Sequence, residues 1–128
     1  MTLVARLLDF MDKPAVIRTA IGIKMEYPIR HTLEGRTTLI GRDGDAEVII
    51  PHSFISRSHA KIEELNPGEY AITDLGSKNG TYLKKGQEQA QRLERMKPYP
   101  LQDKATIFLG NPEDHYYKLQ FQLAQEQK

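Results

Sequence analysis

From about residue 21 onward, apolar side chains recur at every second position, in short runs parted by turn-forming residues. Ile21-Gly22-Ile23-Lys24-Met25-Glu26-Tyr27 is apolar at its odd positions, as a half-buried strand requires. Residues 36–40 are rich in β-branched side chains and end at Gly41. Glu47-Val48-Ile49-Ile50 is a short segment between the turn Asp43-Gly44-Asp45 and Pro51. Residues 60–65 and 69–75 alternate on either side of Asn66-Pro67-Gly68 and so predict a hairpin. Residues 81–83 are a brief strand, and residues 105–109 a core strand ending at Gly110. The cleanest alternation is Tyr117-Lys118-Leu119-Gln120-Phe121-Gln122-Leu123. Many short strands with frequent turns predict an all-β, antiparallel sandwich.

Two stretches break this rhythm. Leu3, Val4, Leu7, Leu8 and Met11 fall at helical spacing, with Asp12-Lys13-Pro14 as a stop, whereas residues 15–25 read equally as strand. Residues 1–20 are therefore set apart as an N-terminal extension, a short helix or an extra strand, ahead of a domain over residues 21–125. Residues 87–97 are polar, with Leu93 and Met96 at helical spacing; a surface helix and an extended loop both fit.

At 128 residues the chain is long enough for one domain with a core of its own, and it carries no cysteine for a disulfide or a thiolate metal site. Arg6 and Asp9 interrupt the apolar start, no small-residue cleavage site follows, and no apolar run approaches bilayer length. The expectation is a cytoplasmic protein, or a domain of one, that does not engage membranes. A net charge of +1 argues against salt-driven attachment to nucleic acid, so any bound anion needs a built site.

Four turn-like clusters supply the parts for one: Gly41-Arg42, Ser56-Arg57-Ser58-His59, Asp74-Leu75-Gly76-Ser77 and Lys78-Asn79-Gly80-Thr81. Loops at one end of a sandwich converge although they are distant in sequence. Arg42 can then face Ser56, Arg57 and Asn79. A guanidinium offers a phosphate two parallel N–H bonds, which a lysine cannot, and a serine hydroxyl adds another. Asn79-Gly80 favours a tight turn from which the Asn79 amide projects. Charge-assisted bonds contribute about 1.5–3 kcal/mol each at best, so three or four suffice for micromolar recognition of a phosphorylated side chain.

In order, spacing and identity these clusters resemble the signature of the forkhead-associated (FHA) domain, a reader of phosphothreonine peptides. The signature spans about residues 39–83, with a weaker echo at residues 101–110. The resemblance implies an FHA/SMAD-like sandwich of about eleven strands with the peptide across the loops at one end. It implies that Arg42 and Ser56 bind the phosphate directly and that Arg57 joins them. Asn79 would grip the peptide main chain and Lys78 add charge, while Gly41, His59 and Gly80 shape the loops. Phe54 and Asn111-Pro112 are the candidates for reading the residue three beyond the phosphothreonine, and Phe54 suggests an apolar preference there. Three features depart from the family pattern: Lys84-Lys85-Gly86 stands where a second Asn-Gly is common, Asp103-Lys104-Ala105 replaces a Gly-Asp pair, and the connection over residues 86–101 is long.

The function expected is a binding module that docks a kinase-phosphorylated partner in signalling and performs no chemistry, without a cofactor. The competing expectation is an FHA-fold scaffold or oligomerisation module that acts independently of phosphate. His31, His52 and His115 lack metal-ligand spacing. Ser56 and His59 have no orienting acid beside them in sequence to make a nucleophile and base. Asp43, Asp45 and Asp74 read as turn residues.

Overall fold

A computed structural model of the chain describes residues 2–8, 15–19, 22–26, 30–33 and 36–126. Among them no residue is helical. One sheet is built from β1 (Thr2–Leu8), β4 (Arg30–Thr32), β9 (Thr81–Lys84), β10 (Gln91–Arg92), β12 (Thr106–Gly110) and β13 (Tyr116–Glu126), in the order β10-β9-β12-β13-β1-β4. The other contains β2 (Ala15–Thr19), β3 (Gly22–Glu26), β5 (Thr37–Gly41), β6 (Val48–Ile49), β7 (Ala60–Asn66), β8 (Glu69–Asp74) and β11 (Pro98–Leu101), in the order β11-β8-β7-β5-β6-β2-β3. All pairings are antiparallel except β5 with β6. The all-β sandwich expected from the alternation is therefore present, with several strands of only two or three residues.

Alternation places the core. Tyr117, Leu119 and Phe121 of β13 are fully buried, as are Ile107 and Leu109 of β12, and they meet Ile40, Ile62 and Ile72 from the opposite sheet in one cluster. The hairpin β7–β8 turns through Pro67 and Gly68, whose φ of 79° suits glycine.

Over residues 2–8 the extra strand, and not the helix, is the alternative found. β1 pairs with β13 from Thr2↔Glu126 to Leu8↔Gln120 and carries β4 on its other edge. Ala5 and Leu7 are both buried, so burial follows period two, and pairing with a long, otherwise open strand overrides the helical spacing of the leucines. Met11 and Asp12-Lys13-Pro14 lie outside the described residues. Within 15–25, β2 and β3 pair with each other and β2 also with β6, so part of the segment set apart as an extension lies in both sheets.

The helix alternative for residues 87–97 is also replaced. Arg92 pairs with Tyr82 through β10, Leu93 is buried at 3% exposure, and Met96 is 66% exposed with φ 60°. Two residues read as one helical face thus sit in opposite environments. The Leu93 N–H donates to Thr81 O and the Met96 N–H to Asp74 O, which ties this connection to the sandwich as extended chain.

Candidate functional site

β5 ends at Gly41, and the segment leading into β7 passes directly over that end. A Cβ on Gly41 would lie 1.8 Å from the carbonyl oxygen of Arg57, so only glycine permits the approach. The Arg42 N–H donates to Ser56 O at 2.9 Å and the Ile50 N–H to Gly41 O at 2.8 Å. These contacts bring Arg42, Ser56 and Arg57 side by side.

His59 ties this pair of loops to a third. Its Nδ1 accepts the Ser56 N–H at 3.0 Å, which leaves the proton on Nε2, and Nε2 donates to Gly80 O at 2.9 Å. The ring is fully buried. Burial pushes its pKa below 6.5, against the opposing pull of the Gly80 carbonyl and the Asp74 charge. The third loop closes over the second: the Lys78 N–H donates to Ser56 Oγ at 2.9 Å, and Asn79 Nδ2 donates to Phe54 O at 2.8 Å. Gly80, with φ 87°, turns the chain into β9.

Asp74, read from the sequence as a turn residue, is the buried anchor of that third loop. It is 1% exposed and accepts from the hydroxyl of Ser77 at 2.5 Å, the hydroxyl of Thr81 at 2.7 Å, and the N–H groups of Gly76 and Ser77 at 3.0 and 3.1 Å. Ser77 Oγ in turn accepts the Gly80 N–H at 3.0 Å. Ser77 and Thr81 are fully buried with it. The signal was present in the chain: an acid at a strand end followed by small hydroxyl residues three and seven positions later, the spacing of a side-chain-capped turn.

The cationic groups face solvent. The Arg42 side chain is 36% exposed and that of Arg57 78%, and their guanidiniums lie 4.0 and 3.8 Å from the Asp43 carboxylate. One anion the size of a carboxylate or phosphate is therefore within reach of both. Ser56 Oγ accepts from Lys78 and keeps its own proton for donation. Arg42, Ser56, Arg57, Lys78 and Asn79 converge, and Gly41, His59 and Gly80 hold the loops that carry them.

The two candidate selectivity positions part company. Phe54 stacks on His52 with ring centroids 5.5 Å apart and tilts towards His115 at 6.1 Å. Asn111 commits its Oδ1 to the Glu113 N–H and, with Pro112, lines a separate hollow of about 560 Å³ over Tyr82 and Phe108. Among the described residues no cluster of His, Asp or Glu is suited to hold a metal ion, and no helix is long and apolar enough to cross a membrane.

Two packed sheets whose loops at one end gather arginine, hydroxyl and amide donors make this a binding sandwich of the loop-end type. Residues 38–110 match the family model of the FHA domain, and the chain belongs to that family. The oxoglutarate dehydrogenase inhibitor of Corynebacterium glutamicum is 30% identical over 83 residues, 65% of this chain and 57% of that protein. The glycogen accumulation regulator GarA of Mycolicibacterium smegmatis is 39% identical over 54 residues, 42% of this chain and 34% of that protein. The chain thus matches little more than half the length of the first of these relatives. Among solved structures, Mycobacterium tuberculosis EmbR in complex with a low affinity phosphopeptide is similar with a TM-score of 0.66 and 26% identity, over 98% of this chain and 26% of that one. The N-terminal FHA domain of Saccharomyces cerevisiae Rad53p, in complex with a phosphothreonine peptide, shares the fold at a TM-score of 0.68 and 18% identity, over 94% of each chain.

Proposed function

We propose that this chain is a phosphothreonine-dependent binding module that docks a kinase-phosphorylated protein in signalling. The observation that carries this reading is the convergence of Arg42, Ser56 and Arg57 on one solvent-facing volume, held by contacts that only Gly41 and a neutral His59 allow. Arg42 and Arg57 bind the phosphate oxygens in place of Asp43, Ser56 donates its hydroxyl, Lys78 adds charge, and Asn79 takes the peptide main chain. Family membership, and the phosphopeptides bound to the solved FHA structures of EmbR and Rad53p, support the same ligand class.

The module performs no chemistry in this reading. His59 is the residue closest to a general base, but both its nitrogens are committed to backbone partners and it is sealed from solvent. Phosphorylation by an ATP-dependent kinase is an intracellular reaction, which supports an encounter in the cytoplasm. Residues 21–125 carry the binding loops, and residues 1–20 act as structural support.

Chemical-shift mapping with a phosphothreonine peptide tests the site. The amides of residues 41–43, 56–58 and 78–80 are expected to shift, and Arg42→Ala to remove the shifts. Changes confined to β2 and β3 would contradict the assignment.

A further inference from the structure

Arg92 stands apart from the other arginines at this end of the molecule. Arg42 and Arg57 share Asp43, whereas among the described residues Arg92 makes no ion pair. Its position is nevertheless fixed. Sheet register pairs it with Tyr82, and the next residue is anchored by the Leu93 N–H to Thr81 O at 2.9 Å. Its guanidinium carbon sits 5.9 Å from the Tyr82 ring centroid, a cation–π contact that orients the group. The side chain lies across the Cα of Gly80: a Cβ there would meet Arg92 Nε at 2.9 Å and Cζ at 3.2 Å. Gly80 directly follows Asn79, the residue assigned to the peptide main chain.

The strand order gives this arginine a side. Going across the sheet, β10 with Arg92 is followed by β9, which Gly80 leads into, and then by β12, which ends at Gly110. Gly110 donates its N–H to Gly80 O and packs against Phe54 and the His115 carbonyl. Phe54 and His115 thus lie on the β12 side of Gly80, and Arg92 on the β10 side. A peptide gripped at Asn79 meets an aromatic surface on one flank and an oriented, exposed guanidinium on the other.

We propose that Arg92 is a specificity-determining residue that reads a carboxylate side chain of the phosphorylated partner, on the flank that leaves the site over Gly80 toward β10. The inference rests on the phosphothreonine reading of the site. An aspartate or glutamate in the peptide gains a pre-oriented, ion-pair-free partner that no protein carboxylate must first release. Because the pair forms at an exposed rim, its effect is moderate and sensitive to salt.

The test is a set of phosphothreonine peptides identical except for one aspartate, moved through the four positions on each side of the phosphothreonine, against a reference with alanine at all of them. The wild-type protein is expected to prefer aspartate at one position by about threefold to tenfold over the reference. Arg92→Gln should bind the reference as the wild type does and lose that preference. Arg92→Glu should exchange it for lysine at the same position, a switch that a purely structural role would not produce. A preference that survives Arg92→Gln, no preference in the wild type, or equal weakening of every peptide overturns the proposal while leaving phosphothreonine binding intact. Failure of the wild type to bind any phosphorylated peptide instead overturns the underlying function, and this inference with it.

Discussion

At the scale of single residues, the site divides into groups proposed to meet the ligand and groups that hold the loops in place. Arg42→Ala removes a partly exposed guanidinium that makes one long surface contact, 4.0 Å to Asp43. Stability is expected to change by less than about 0.5 kcal/mol, while phosphopeptide affinity falls below detection in calorimetry. Asp43→Asn should act in the opposite direction, raising affinity severalfold at low salt, since the carboxylate competes with phosphate for both arginines. His59 gives the site a pH dependence. Its folded-state pKa is depressed below 6.5 by burial, so its contribution is complete above the unfolded value. As pH falls through 6.5 the unfolded chain takes the proton first, and stability declines until the folded-state pKa is passed. A proton on Nδ1 also ends its acceptance of the Ser56 N–H. Denaturant midpoints measured from pH 8 to 5 should therefore fall on the acid side, with a shallower fall in His59→Gln. The residues proposed to bind phosphate, and the glycines of their loops, could be picked out in the sequence because they form contiguous turn motifs. Asp74 was not, because the sequence shows its spacing to Ser77 and Thr81 but not its complete burial.

At the scale of elements, the loop over residues 75–80 depends on that carboxylate. Asp74→Ala strands two buried hydroxyls and two N–H groups. A loss of about 2–4 kcal/mol is expected in urea unfolding, together with faster amide exchange at residues 76–80. The strands with one buried face were readable, since Tyr117, Leu119 and Phe121 alternate strictly with Lys118, Gln120 and Gln122. β1 was ambiguous for a physical reason. Leu3, Val4, Leu7 and Leu8 satisfy helical spacing locally, and the competing strand is stabilised by a partner more than a hundred residues away. Leu93 and Met96 misled in the same way: their environments are set by hydrogen bonds to Thr81 and Asp74, not by their spacing.

At the scale of the molecule, the first and last strands pair with each other. β1 lies along β13, and β13 along β12, whose end bonds to Gly80, so β1 buttresses the sheet into which the loop over residues 75–80 leads. Removing residues 1–14 exposes the β13 edge and deletes the fully buried Leu7. The truncated protein is expected to lose its cooperative thermal transition. The order of the strands, which brings the four clusters to one end, was not legible in the sequence, since alternation fixes faces and not neighbours. The central claim is that this end reads phosphothreonine, and one titration tests it most directly: a single peptide sequence bearing phosphothreonine, phosphoserine or unmodified threonine. Micromolar binding of the phosphothreonine form, weaker binding of phosphoserine and none of the unmodified peptide is the expected result; equal binding of all three contradicts it.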